Sequence, residues 1–173
     1  MKVIAKIPFV IAGAFALSAY AASPIEVNLK DAKGGDVGTA TLTEVSDGVK
    51  IKVNAKGLTP GEHAIHFHEK ASCVGPKFDS AGGHFAPLNK KHGEVPGGPH
   101  AGDMPNLKVS ADGTVTTEFT NTKVKLGKGD NSLLRAGGTA LVIHAKADDY
   151  KSQPSGDAGD RQACGEVKDL ITK

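Results

Sequence analysis

The sequence has no tryptophan, only two cysteines and no run of basic residues longer than a pair. Neither cysteine stands in a C-x-x-C pair, which excludes thiolate-bound zinc of the finger type. Scattered lysines and arginines give neither nucleic acid nor a membrane surface an electrostatic footprint. Convincing helical stretches are missing as well, so the fold class is expected to be all-β. The longest apolar run, Ile7 to Leu17, is too short to span a bilayer.

That run reads instead as part of a leader. Lys2 and Lys6 supply a positive start, and Ala19-Tyr20-Ala21 is a small-residue cleavage pattern. No cysteine follows it to carry a lipid, so the mature chain is expected to have no membrane anchor. The expected organisation is a signal peptide over residues 1–21 and one domain over 22–173, in a periplasmic or secreted protein. Lys2 and Lys6 are the only charges in the leader, and without them 19 of the 21 basic residues face 19 acidic ones. In an oxidising compartment Cys73 and Cys164 are expected to form a disulfide. Closing a loop of roughly 90 residues is worth about 4–5 kcal/mol in the chain-entropy treatment.

The segments Ile25 to Leu29, Val37 to Val45, Val49 to Asn54, His63 to His68, Leu107 to Ser110, Thr114 to Thr120 and Thr139 to Ala145 read as short strands. Val49, Ile51 and Val53 alternate with polar residues, and so do Val115, Thr117 and Phe119. Ser46-Asp47-Gly48 and Ala111-Asp112-Gly113 are turn sequences. Asn131 to Ala136 has the residues of a single helical turn. Repeated short strands of this kind point to a sandwich or barrel.

Six of the seven histidines lie between Gly61 and Asp103. In the strand-like run Glu62 to Glu69, His66 and His68 share one face while Ile65 and Phe67 share the other. Two imidazoles can therefore meet one ion while the apolar pair anchors the strand. His63 has the parity of Ile65 and Phe67, which makes it a buried histidine bonded to backbone. Downstream come His84, His92, His100 and Asp103, in a stretch punctuated by glycine and proline. Long loops of this kind are usually functional or disordered, and a metal would supply the ordering energy. Many imidazoles with one carboxylate suit copper and zinc better than magnesium.

Gly61-Glu62-His63-Ala64-Ile65-His66-Phe67-His68-Glu69, Gly82-Gly83-His84-Phe85-Ala86-Pro87, Lys91-His92-Gly93 and His100-Ala101-Gly102-Asp103 together resemble the copper-zinc superoxide dismutases, the bacterial secreted type most closely. Leu141 to Asp149 and Gly159 to Gly165 extend the resemblance over most of the mature chain. It implies an eight-stranded Greek-key β-barrel, an immunoglobulin-like sandwich, with two long loops forming the metal site. It implies one copper per subunit on His66, His68, His84 and His144, and one zinc per subunit on His84, His92, His100 and Asp103. It gives catalytic roles to His84, which bridges the metals and handles a proton, and to Arg161, which attracts and orients superoxide. Asp148 would join His66 to His92 through hydrogen bonds.

The activity so implied is conversion of superoxide to oxygen and hydrogen peroxide, protecting the exported compartment. The alternative is a related metal-binding protein that stores or delivers copper without turnover. Members of the family differ in assembly, homodimers among them, and the sequence does not choose. The sequence departs from the pattern at Asp157 and Asp160, acids close to Arg161 that would blunt attraction of an anion, with Lys146 and Lys151 as nearby cations.

Overall fold

Alternation and turn chemistry produce a sheet that curls around one apolar core. A computed structural model describes residues 23–168; the leader expected over residues 1–21 lies outside them. Among the described residues the strands are β1 Ile25–Asp31, β2 Asp36–Val45, β3 Gly48–Ala55, β4 Gly61–His63, β5 Ile65–His68, β6 Leu107–Val109, β7 Val115–Asn121, β8 Thr139–His144 and β9 Arg161–Val167. One 3-10 turn lies at Asp79–Ala81.

All strand pairing is antiparallel, in a sheet ordered β5-β8-β9-β1-β2-β3-β7, with β4 paired separately to β6. β6 packs beside β7, and β4 runs into β5 across Ala64 alone, so the ladder curls back toward its own edge. Counted as one interrupted strand, β4 and β5 bring the total to the expected eight. The connections from β3 to β4 and from β5 to β6 pass between strands that are not neighbours, as a Greek key requires.

The core is built from one face of each strand. Val49, Ile51, Val53 and Ala55 of β3 are buried while Lys52 and Asn54 face water. They meet Val27 and Leu29 of β1, Leu42 of β2, Ile65 and Phe67 of β5, and Leu141 and Ile143 of β8. The outer faces of β5 and β8 are covered as well. Ala140 and Val142 pack with Phe78, Ala81 and Cys164 in a second, smaller cluster. The Cys73–Cys164 disulfide, 91 residues apart in sequence, fastens the segment after β5 to β9.

One strand goes beyond those expected from the sequence, and one local expectation is corrected. β9 is a strand although its sequence, Arg-Gln-Ala-Cys-Gly-Glu-Val, lacks an apolar alternation. Its pairing with β8 and β1 imposes the conformation. A Cβ on Gly165 would lie 2.5 Å from a methyl of Val27, so a residue without a side chain lets β9 pack against β1 here. Asn131 to Ala136 makes turns rather than a helical turn. Leu133 N–H bonds to Lys125 O (2.9 Å) and Lys125 N–H to Asn131 O (3.2 Å), and this pairing carries Leu133 into the core.

Replacing Cys73 and Cys164 together by serine should lower unfolding free energy by at most about 4–5 kcal/mol, because a long loop is released in the unfolded chain. Urea denaturation checks this, and a midpoint equal to that of the parent protein would refute it.

Candidate metal centre

The site begins with a strand buried on both faces. All four residues of β5 are buried: Ile65 and Phe67 in the barrel core, His66 and His68 on the outer side. The loop that follows is pinned to this strand through backbone groups. Phe85 N–H donates to Phe67 O (2.8 Å), Phe67 N–H to Gly102 O (3.0 Å) and Gly102 N–H to Phe85 O (2.9 Å). A Cβ on Gly102 would lie 2.4 Å from Phe67 O, so only glycine permits this approach. These contacts bring His84 beside His68 and Asp103 beside His66. His144 arrives from the end of β8, where a shift in pairing with β9 falls between Ile143 and His144.

Two donor clusters result. His66, His68, His84 and His144 place one ligand-type atom each within 4.8 Å of one another. Around Asp103 Oδ1 stand the Nδ1 atoms of His84 at 3.1 Å, His92 at 3.1 Å and His100 at 3.4 Å. His66, His84, His92 and Asp103 also place one ligand-type atom each within 4.8 Å of one another, a group that leaves out His100. The Nδ1 of His100 nevertheless lies 3.4 Å from Asp103 Oδ1, whereas His66 turns its Nε2 to Asp148.

Hydrogen bonds on the far side of the rings determine which nitrogens face inward. His68 Nδ1 donates to Gly82 O (2.9 Å), and His144 Nδ1 faces Gly159 O at 3.3 Å. In neutral rings this leaves both Nε2 atoms as lone pairs, and they face each other at 3.3 Å. Two lone pairs cannot form a hydrogen bond, whereas a cation between them satisfies both. His66 Nδ1, His84 Nε2, His92 Nδ1 and His100 Nδ1 are likewise buried with no hydrogen-bond partner. Buried, unpartnered nitrogens converging in this way fit copper and zinc, which take imidazole nitrogen and, for zinc, a carboxylate.

The charge states of His68, His84 and His144 agree. Burial, with charge on His84, Arg161 and His144, holds His68 well below its ordinary value. Burial also lowers His84 to about 4 against the pull of Asp103, and lowers His144 to about 3. These rings are therefore neutral and available as ligands. Burial would lower His92 too, but the carboxylates of Asp103 and Asp148 beside its two ring nitrogens prevail and raise it to about 9. Burial would raise both carboxyls; the ring nitrogens of His100, His84 and His92 gathered around Asp103 instead hold it far below the usual range, and the hydrogen bonds from His66 and His92 do the same for Asp148.

Asp148 ties the two clusters together. Its Oδ2 accepts from His66 Nε2 (2.8 Å) and its Oδ1 from His92 Nε2 (2.9 Å). Sequence reasoning missed the groups that hold Asp148 itself. Asn106 accepts from Asp148 N–H (2.9 Å) and donates to Asp148 O (3.0 Å). Gly156 passes so close that a Cβ there would lie 1.9 Å from Asp148 Oδ1. Nothing in the residue types flags either one, since both act by proximity across the fold. His63 is buried as expected, with its ring nitrogens at backbone oxygens of His144 (2.7 Å) and Thr59 (2.8 Å).

Arg161, at the start of β9, is held by two carbonyls, Nη1 to Phe78 O (2.6 Å) and Nη2 to Gly82 O (2.7 Å). It lines an open cavity of about 530 Å³ with Pro76, Lys77, Asp79, Gly159 and Asp160. Asp160 is thus at the opening as expected, but Asp157 is not among its lining residues. Asp79 and Lys77, which sequence reasoning did not single out, are.

Residues 37–167 match the family described as copper/zinc superoxide dismutase. "Superoxide dismutase [Cu-Zn] 2" of Aquifex aeolicus is 52% identical over 143 residues, covering 81% of this chain and 84% of that protein. "Superoxide dismutase-like protein YojM" of Bacillus subtilis is 46% identical over 143 residues, covering 80% and 73%. The crystal structure of a SOD-like protein from Bacillus subtilis superposes with a TM-score of 0.80 at 42% identity, over 82% of this chain and 97% of that one.

Metal-free protein should lose stability on acidification. His68, His84 and His144 would take up protons near 6.5 when unfolded but resist it when folded, so unfolding gains as pH falls below 6.5 toward about 3. The contributions of Asp103 and Asp148, present above 3.8, are lost in stronger acid. His92 acts oppositely, contributing fully below 6.5 and losing its contribution as pH rises through about 9. Melting temperatures across this range should fall on both sides of neutrality, and a flat profile would contradict these charge states.

Proposed function

The chain belongs to the copper/zinc superoxide dismutase family, and on that premise we propose that it converts two superoxide anions and two protons to one oxygen and one hydrogen peroxide. The observation that carries this reading is His84. One of its nitrogens lies 3.1 Å from Asp103 Oδ1, and the other is buried and unpartnered on a ring grouped with His66, His68 and His144. A single imidazole so placed would belong to two metal positions at once, which requires loss of both ring protons.

In this reading His66, His68, His84 and His144 hold copper, and His84, His92, His100 and Asp103 hold zinc. Copper supplies one-electron exchange between two oxidation states, and zinc supplies fixed positive charge. Gly82 O and Gly159 O fix the rings of His68 and His144, so the inward nitrogen of each keeps its lone pair without rearrangement, and Asp148 fixes the rings of His66 and His92. His84 Nε2 is the atom that accepts a proton and passes it to the departing peroxide. Arg161 presents a permanent, oriented cation at the cavity, where it draws in superoxide and directs its oxygen. Asp79 and Asp160 at the same opening oppose that attraction, while Lys77 supports it.

The disulfide and the leader-like residues 1–21 support an exported location, where the reaction would protect that compartment. Copper storage without turnover is the weaker reading. It gives no role to an arginine fixed by two backbone carbonyls at an open cavity.

The deciding experiment measures superoxide decay per bound copper, comparing protein loaded with copper and zinc with protein loaded with zinc alone. Rapid, copper-dependent decay that slows as salt rises is expected. His144→Ala should weaken copper binding and abolish decay with the fold retained. Arg161→Ala should slow decay by about tenfold or more and flatten its salt dependence, since steering of this kind is worth roughly ten- to a thousandfold. Slow decay at full copper occupancy would instead support the storage reading.

A further inference from the structure

Between β8 and β9 the chain crosses back over the loop that carries His92, and one side-chain amide joins the two. His92 N–H donates to Gln153 Oε1 (2.9 Å), and Gln153 Nε2 donates to His92 O (2.8 Å). The amide therefore pairs with both backbone groups of a single residue, as a neighbouring strand would. A further bond from Nε2 to Lys151 O (3.0 Å) fixes the amide's orientation. Two residues on, Glu94 N–H donates to Tyr150 O (2.8 Å), so Gln153 extends a short backbone pairing where the chain supplies no strand.

The ring of His92 is held at its outer nitrogen by Asp148. That bond alone leaves the backbone of a turn-rich segment free to shift beneath it. Fixing the backbone as well confines the ring at both ends, and keeps Nδ1 directed at Asp103 before a metal arrives.

We propose that Gln153 is a positioning residue for the cluster around Asp103: its amide fixes the backbone of His92 and so preorganises that cluster for zinc. The inference rests on the reading that His84, His92, His100 and Asp103 hold zinc. It adds that the loop carrying Asp148 and Gly159 and the loop carrying His92 are ordered together. Loss of the amide then weakens zinc binding while leaving the copper cluster, which Gln153 does not touch, nearly unchanged.

The test uses the full mature chain and measures zinc and copper dissociation constants by competition with chromophoric chelators, with hydrogen exchange at the His92 amide as a second readout. Gln153→Ala should raise the zinc constant by on the order of tenfold, the net worth of about one hydrogen bond, with copper changed less than twofold. Its His92 amide should exchange faster. Gln153→Glu keeps an acceptor for His92 N–H but has no donor toward His92 O, and should weaken zinc as well. Wild-type zinc binding in Gln153→Ala would show that the amide holds nothing in place, and would overturn the proposal. Equal weakening of both metals in Gln153→Ala would overturn it too. His100→Ala is the separate control: undiminished zinc binding there sinks the ligand assignment itself, whatever the Gln153 variants do.

Discussion

The buried carboxylate of Asp148 is the contact on which the centre depends. It is 3% exposed and takes hydrogen bonds from one histidine of each cluster and from Tyr150 N–H. An ionised carboxylate in such a place is costly unless it is hydrogen-bonded, and here three donors meet it. Asn106 holds its backbone, and Gly156 leaves room above it. By accepting from His66 Nε2 and His92 Nε2, Asp148 turns the Nδ1 atom of each ring toward its cluster. One group thus orients a ring on each side of His84.

The strand β5 answers a packing problem in a related way. A barrel strand ordinarily buries one face and wets the other, but here the outer face is covered by histidines and by the returning loops. Polar nitrogens buried there would be destabilising without partners. His66 Nδ1 lacks a partner among the protein atoms, as do His84 Nε2, His92 Nδ1 and His100 Nδ1 on the loops that cover this face, which fits a site that holds metal. Phe67 serves both sides, its ring in the core and its backbone pairing with Phe85 and Gly102. Core packing and site geometry are therefore coupled through a single residue.

A second coupling runs through Gly82 O, which accepts from both His68 Nδ1 and Arg161 Nη2. The cation that faces the solvent cavity and a histidine of the inner cluster are thus set by one carbonyl. The turn that presents this carbonyl is confined by the second apolar cluster and the Cys73–Cys164 bridge. Stability of the outer loop and orientation of Arg161 depend on the same contacts.

The chemistry was legible in the sequence because donor identity belongs to the residue. His66, His68, His84, His92, His100 and Asp103 announce themselves by type and spacing, whereas His144 and Asp148 are marked only by the family resemblance, and the parity of His66 and His68 against Ile65 and Phe67 placed each pair on its correct face. Most strands were legible for the same reason, as Val49, Ile51 and Val53 show. Tertiary structure alone decided β9, whose own residues do not alternate, and the pairing that draws Leu133 inward. It also decided the roles of Gly82 O, Asn106, Gly156 and Gln153, and the presence of Asp79 rather than Asp157 at the cavity. Those roles belong to backbone groups, empty space and amides brought close by distant parts of the chain. Nothing local encodes them, since a carbonyl has no residue type and a close approach exists only once the chain has folded.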